Sequence, residues 1–303
     1  MTTIAFLGLG HMGGPMAANL VKAGHRVIGF DPVPAALDAA RTAGIEIAAD
    51  AVTAVADVDV VITMLPSGAH VISAYSGDGE AAGLLAAAKP DTLFVDCSTI
   101  AVDEARQAHD LALAAGHRAA DAPVSGGVVG AENATLAFMV GASDEDFATV
   151  QPLLEAMGRR IVHCGGSGLG QAAKVCNNMI LAISQIAVAE AFVLGERLGL
   201  SHQSLYDVAS NASGQCWALT TNCPVPGPVE TSPANRDYEP GFAGALMSKD
   251  LGLAEQAIDL TGVDAQLGRH AREIYRLYAE GEGARKDFSG IINTIRAQSV
   301  AQN

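Results

Sequence analysis

An α/β fold, with a doubly wound and mostly parallel sheet in the first half and helices alone in the second, follows from three features of the 303-residue sequence. Short β-rich runs alternate with alanine-rich helical stretches from Ile4 to about His163, the pattern of parallel strands with helices on both faces. The β pattern then stops at a glycine cluster, Gly165, Gly166, Gly168 and Gly170. Beyond it a helical pattern runs nearly unbroken from Gln171 to about Leu198, roughly 40 Å at 1.5 Å per residue. The expected organisation is one domain over residues 1–166 and an all-helical domain over 167–303, joined by this long interdomain helix.

Taken in order, strands are expected over 4–9, 26–30, 58–64, 92–96 and 117–121, with 136–140 and 160–163 extending the sheet. Helical stretches are expected between them, such as 16–23, 34–43 and 102–115, each ending near a Gly or Pro that cannot continue it. In the helical half, a Pro- and Gly-rich insert over 222–241 is the one irregular stretch. No internal repeat is evident; the abundance of alanine has no period.

Composition narrows the function classes. Half of the residues are hydrophobic, and 18 Lys plus Arg stand against 33 Asp plus Glu, a net charge of −15. Such a surface repels phosphate backbones and anionic lipids, so neither nucleic acid nor membrane is an expected partner. The uncharged opening segment lacks a basic leader and contains Gly and Pro, unlike a signal or transit peptide. The uncharged run over 175–189 is shorter than the roughly 20 residues of a bilayer span. A cytoplasmic, bacterial-type protein without a targeting segment is the expectation. Five cysteines form no CxxC pair and eight histidines no HExxH spacing, so no metal site is expected and the thiols read as reduced.

Gly8-Leu9-Gly10-His11-Met12-Gly13 follows the first expected strand and opens a helix, the context in which GxGxxG signals a dinucleotide site. The first glycine allows the tight turn, the second lets a pyrophosphate approach the backbone, and the third lets helix and strand pack closely. Eighteen residues after Gly13, at the end of the second strand, Asp31 can accept both adenine-ribose hydroxyls and would repel a 2′-phosphate. No arginine follows it in Asp31-Pro32-Val33. NAD is therefore expected rather than NADP. Leu65, Pro66 and Thr99 lie just past the carboxyl ends of later strands, where such folds bind their ligands.

The candidate chemistry lies further along. Asp121-Ala122-Pro123-Val124-Ser125-Gly126-Gly127 ends a strand with a hydroxyl and two glycines, whose N–H groups can cup a carboxylate. Lys174 and Asn178 are four residues apart and share one face of the long helix. No acidic residue stands four positions from Lys174 on either side. Lys249, next to Asp250, is a second cation; near the cleft it would hold an anionic substrate and lower the pKa of Lys174 by repulsion. His11, His70 and His163 have no carboxylate partner visible in the sequence, which argues against a catalytic histidine.

Four blocks resemble the β-hydroxyacid dehydrogenase family: Phe6-Leu7-Gly8-Leu9-Gly10-His11-Met12-Gly13, Asp96-Cys97-Ser98-Thr99-Ile100, the Asp121–Gly127 block, and Gly170-Gln171-Ala172-Ala173-Lys174-Val175-Cys176-Asn177-Asn178. They come in the family's order and span nearly the whole chain. The resemblance implies a Rossmann domain, an all-helical second domain, and assembly into a homodimer or homotetramer. It also implies that Lys174 is the catalytic lysine, Ser125, Gly126 and Gly127 the carboxylate cradle, and Asn178 a substrate hydrogen-bond donor. Leu65, Pro66, His70, Thr99 and Lys249 match positions that meet NAD, although the family often has Asn in place of His70. Residues 213–219, 223–227 and 241–251 look like the branch acting on 3-hydroxyisobutyrate, with Trp217 walling the substrate's methyl side. The implied reaction is hydride transfer from a small 3-hydroxy acid to NAD, with Lys174 as general acid and base. The alternatives are a tartronate semialdehyde, succinic semialdehyde or glyoxylate reductase of the same family, and a catalytically silent NAD-binding module.

Overall fold

The computed structural model describes residues 1–77, Gly79 and 82–300. Among the described residues, nine strands form one sheet: β1 (Thr3–Leu7), β2 (Arg26–Phe30), β3 (Glu46–Ile47), β4 (Val60–Thr63), β5 (Leu93–Asp96), β6 (Arg118–Asp121), β7 (Val124–Ser125), β8 (Leu136–Gly141) and β9 (Gly158–Gly165). Around and after them lie α1 (Gly13–Lys22), α2 (Pro34–Thr42), α3 (Ala51–Val55), α4 (Gly68–Ser76), α5 (Leu84–Ala87), α6 (Val102–Ala114), α7 (Gly127–Glu132) and α8 (Asp144–Glu155). The helical half holds α9 (Leu169–Arg197), α10 (His202–Ala209), α11 (Trp217–Thr220), α12 (Gly244–Thr261), α13 (Gln266–Ala279) and α14 (Ile291–Val300). The chain divides into two compact units after Lys174, inside α9.

In the first unit the strand order is β3-β2-β1-β4-β5-β6-β8-β7, with β9 beside β8. The pairings from β3 to β6 are parallel, β8 runs antiparallel to β6 and β7, and β9 is parallel to β8. Both faces of the parallel part are buried. Ile4, Phe6, Ile62 and Val95 enter one hydrophobic cluster, and their neighbours Ala5, Leu7, Val61 and Phe94 enter the other. That two-residue alternation makes the strands read as continuous apolar runs, because helices cover each face.

Register aligns the carboxyl ends of the strands. Phe30 pairs with Leu7, Leu7 with Thr63, Thr63 with Asp96 and Asp96 with Asp121. One row of last residues thus launches the loops that carry Gly8, Leu65, Ser98 and Ser125. The first strand ends at Leu7 rather than at residue 9, because Gly8 turns the chain at φ +91°. The short elements β3, β7, α3, α4, α5 and α7, together with α8, have no counterpart among the expected elements.

The second unit is built on Phe192, Met247, Leu251, Tyr275, Phe288 and Ile292, all nearly or fully inaccessible to solvent. The expected irregular insert is packed into this core rather than draped over it. Cys223, Val225 and Tyr238 are buried, Ser232 Oγ donates to the Cys223 carbonyl at 2.6 Å, and the Tyr238 hydroxyl donates to the Pro224 carbonyl at 2.9 Å. A 3-10 turn, Pro233–Arg236, is the regular structure within it.

The length argument over 175–189 needs correction. The helix containing that run has 29 residues and is long and apolar enough to cross a bilayer by length and composition. Half of its most apolar window is buried within the protein, and it carries the buried, hydrogen-bonded side chains of Gln171, Lys174 and Asn178. Those are features of a core helix, since buried polar groups need protein partners that lipid cannot supply.

Candidate active site

The glycine loop is shaped by contacts that leave no room for side chains at two of its three glycines. A Cβ on Gly8 would lie 2.2 Å from the Met64 carbonyl oxygen, and one on Gly13 would lie 1.9 Å from that of Gly8. Gly10 is different: it is exposed, and a Cβ there would meet no protein atom within 4 Å. Packing therefore demands the first and third glycines, whereas the second keeps open the space that a pyrophosphate would need.

Asp31 is 7% exposed and is no ordinary solvated residue at a strand end. Its Oδ2 accepts the Leu9 N–H at 2.7 Å and its Oδ1 accepts the Val33 N–H at 2.8 Å. The carboxylate is thereby fixed against the glycine loop. Beside it lies a cavity of about 490 Å³ with apolar walls, lined by Gly8, Phe30, Pro32, Leu65, Ala69 and His70 among others. His70 is exposed, with Nδ1 2.7 Å from Ser67 Oγ, so the residue that departs from the family's pattern does line this cavity. Open space at Gly10, a fixed acceptor at Asp31 and an apolar recess of this size together fit the phosphates, ribose and adenine of NAD.

His11 and Pro66 are exposed, and Met12, Leu65 and Thr99 half-buried. Hydrogen bonds tie the loops after β4 and β5 together. The Leu65 N–H donates to Ser98 Oγ at 2.8 Å, and Ser98 Oγ donates to Asp96 Oδ1 at 2.6 Å, which also accepts from Thr63 Oγ1 at 2.7 Å. His163 corrects the sequence reading: Asp144 Oδ1 lies 3.6 Å from its Nδ1, and its ring stacks on Phe147.

Lys174 is 6% exposed, and its Nζ donates to the Val124 carbonyl at 2.9 Å. The lysine does not snorkel to solvent; it is held against the residue that precedes Ser125. From there the chain turns through Gly126 and Gly127, at φ 134° and 62°, into α7. Ser125 and Gly127 are half-buried and Gly126 is exposed, so the proposed cradle is open to a ligand.

One turn after Lys174 on α9, Asn178 belongs to the second unit and is 3% exposed. Its Nδ2 donates to Asp250 Oδ2 at 2.5 Å, and its Oδ1 accepts from Asn177 Nδ2 at 3.0 Å. Asp250, on α12, is buried. Lys249 beside it is half-buried. Sequence reasoning missed Asp250 as the residue that orients the Asn178 amide; the available signal was an acidic neighbour of a candidate lysine. Trp217 opens α11 and is 52% exposed.

Among the described residues, no three His, Cys, Asp or Glu side chains gather as metal ligands, and all five cysteines are free.

Comparison with known proteins agrees with this layout. Residues 3–166 match the family model of the NAD-binding domain of 6-phosphogluconate dehydrogenase, and residues 168–295 match that of the NAD-binding region of NADP-dependent 3-hydroxyisobutyrate dehydrogenase. A solved structure of Mycobacterium tuberculosis 3-hydroxyisobutyrate dehydrogenase with L-serine is 58% identical, covers 98% of this chain and 99% of its own, and superposes with a TM-score of 0.94. Two Pseudomonas aeruginosa proteins are also similar. A 3-hydroxyisobutyrate dehydrogenase is 46% identical over 98% of this chain and 100% of its own length. An NAD-dependent L-serine dehydrogenase is 47% identical over 95% and 96%. The chain thus belongs to the 3-hydroxyisobutyrate dehydrogenase branch of the β-hydroxyacid dehydrogenase family, as an oxidoreductase that uses NAD and acts on a CH–OH group.

Proposed function

We propose that the protein oxidises 3-hydroxyisobutyrate to methylmalonate semialdehyde in valine breakdown, with Lys174 as the general acid and base. The observation that carries this reading is the buried Lys174 ammonium held 2.9 Å from the Val124 carbonyl, immediately before Ser125. Bound NAD supplies the acceptor for the hydride that leaves the carbinol carbon. Gly8, Leu9, Gly10, His11, Met12 and Gly13 hold its pyrophosphate, Asp31 its adenine ribose, and Leu65, Pro66, His70, Thr99 and Lys249 its remaining contacts. Ser125, Gly126 and Gly127 hold the substrate carboxylate, with Lys249 adding positive charge. Asn178, its amide fixed by Asp250, donates to the substrate, and Trp217 walls the methyl group.

Lys174 takes the hydroxyl proton during oxidation and returns it during reduction. In its charged form it also stabilises negative charge developing on the substrate oxygen, and effects of this kind are worth several powers of ten. The preference for NAD over NADP rests on Asp31: its carboxylate, already fixed by two N–H donors, would face a 2′-phosphate charge against charge. We assign the enzyme to the cytoplasm, as a homodimer or homotetramer. Exposed apolar side chains on its helical half, including Ile180, Leu194, Leu198 and Leu267, support self-assembly.

A second reading, oxidation of L-serine, is favoured by the likeness to an L-serine dehydrogenase and to a structure holding L-serine. L-Serine is also a 3-hydroxy acid and differs at C2, where an ammonium replaces the methyl group. Oxidation of 3-hydroxyisobutyrate and L-serine with NAD and NADP, and reduction of tartronate semialdehyde, succinic semialdehyde and glyoxylate with NADH and NADPH, decide among these readings. The expected outcome is highest kcat/KM for 3-hydroxyisobutyrate with NAD, lowered about 10³-fold in Lys174→Ala. A larger value for L-serine moves the assignment to the second reading, and NAD binding without turnover on any substrate makes the protein a silent module.

A further inference from the structure

The segment Asp121–Val124 is fastened to the first turns of α9 at both of its ends. At one end, Asp121 Oδ1 accepts the Gly168 N–H and Oδ2 accepts the Gln171 N–H, each at 2.8 Å. At the other, the Val124 carbonyl accepts Lys174 Nζ at 2.9 Å. Asp121 is 4% exposed, and the surrounding backbone is cut to its shape. A Cβ on Gly141 would fall 2.3 Å from its Oδ1, and a Cβ on Gly170 would fall 2.7 Å from its Oδ2. Gln171, fully buried, extends the bracket: its Nε2 donates to the Ser98 carbonyl at 2.7 Å and its Oε1 accepts the Ile100 N–H at 3.3 Å. One helical turn therefore holds the loop carrying Thr99, the loop carrying Ser125, and the lysine.

We propose that Asp121 is a positioning residue for Lys174: its carboxylate locks the first turn of α9 to the strand that feeds Ser125, so that the lysine nitrogen and the substrate cradle keep one fixed separation. This rests on the reading of Lys174 as the acid and base. A charged acceptor suits the task, because free N–H groups at a helix start carry partial positive charge and are best satisfied by an anion. A neutral amide in its place would turn an N–H toward one of the two donors and release that end of the turn. A misplacement of about 1 Å at the reacting groups can cost on the order of 100-fold in rate.

The test is a double-mutant cycle on the full-length enzyme with Asp121→Asn, Lys174→Ala and the pair, reading kcat, KM for 3-hydroxyisobutyrate, NAD affinity and the thermal midpoint. In the wild-type background, Asp121→Asn is expected to lower kcat 10- to 100-fold, with KM and NAD affinity changed less than threefold. In the Lys174→Ala background the same substitution is expected to lower residual kcat less than threefold, because nothing remains to be positioned. Asp121→Ser, which fits the same space and keeps a neutral acceptor, serves as the second variant and is expected to give the same pattern. If the Asp121 effect is equally large with and without Lys174, the positioning role is overturned while the role of Lys174 stands. If Lys174→Ala leaves kcat intact, the reading of the lysine falls and the proposal with it. If both Asp121 variants lose NAD binding or cooperative melting, Asp121 is a determinant of folding and the proposal also falls.

Discussion

The glycine loop and the lysine bracket lie on the same edge of one sheet, yet they are built from opposite materials. The loop is made of missing side chains: Gly8 and Gly13 are where the Met64 and Gly8 carbonyls come too close for a Cβ, and Gly10 keeps space clear. The bracket is made of buried polar side chains, Asp121, Gln171 and Lys174, bonded to backbone groups from distant parts of the chain. The first kind of site depends on shape and tolerates little change of volume. The second depends on charge and hydrogen bonding, and its members are expected to tolerate isosteres that fold but work poorly. On the proposed reading, the contrast is one between a site that binds and a site that reacts.

Several substitutions would break or sharpen that contrast. Lys174→Ala is expected to have the largest effect, a loss of about 10³-fold in kcat with NAD affinity within threefold of wild type. Steady-state kinetics with fluorescence titration of the cofactor checks it, and a matching loss of NAD affinity would merge the two sites. Gly13→Ala comes next. With a methyl group 1.9 Å from the Gly8 carbonyl, it is expected to destabilise the first unit by about 3 kcal/mol or more, measured by denaturant unfolding.

The bracket carries a pH signature of its own. Burial pushes the Asp121 carboxyl up to about 6, against the pull of the Gln171 and Gly168 N–H groups, and the nearby charge of Asp96 adds to the rise. Its ordinary value is 3.8, so between about pH 4 and pH 6 the folded state binds more protons than the unfolded state. Stability from this group therefore decreases as pH rises through that window and levels off above it. The full difference is at most about 3 kcal/mol. Chemical denaturation of wild type and Asp121→Asn from pH 4 to 7.5 is expected to show the slope reduced in the variant; identical slopes would remove Asp121 as its source. The smallest expected effect belongs to Gly10→Ala. Stability should stay within about 0.5 kcal/mol of wild type, while NAD binding weakens about tenfold, because the added methyl occupies the ligand's space rather than the protein's. A loss of stability with unchanged affinity would mean that Gly10 serves the fold alone.

The same difference in construction explains what could be read from the sequence. The glycine loop was legible because its three residues are local in sequence and each has a backbone reason to be glycine; Asp31 followed from its distance after Gly13. The parallel strands were legible from their apolar runs, although β1 and β4 proved shorter than expected. Lys174 and Asn178 stood out as polar residues on an apolar helix, but their partners did not. Val124 is 50 residues from Lys174, and Asp250 is 72 residues from Asn178. No local pattern encodes such pairings. Asp121 and Gln171 were quoted only as members of motif blocks, because what they do depends on the β6–α9 contact. The short elements β7 and α7 escaped because two and six residues are too few to establish a period.

The carbonyl of Val124 has a property that a carboxylate in its place would lack. An amine keeps two N–H bonds after it gives up its proton, so the tether to a neutral oxygen can persist in both states of the lysine. A carboxylate partner would bind the ammonium more strongly, and departure of the proton would then leave an anion stranded in a buried place. Anchoring to the main chain separates where the nitrogen sits from what charge it bears. On the proposed reading, the side chain exchanges a proton with a bound alcohol without having to let go of its mooring.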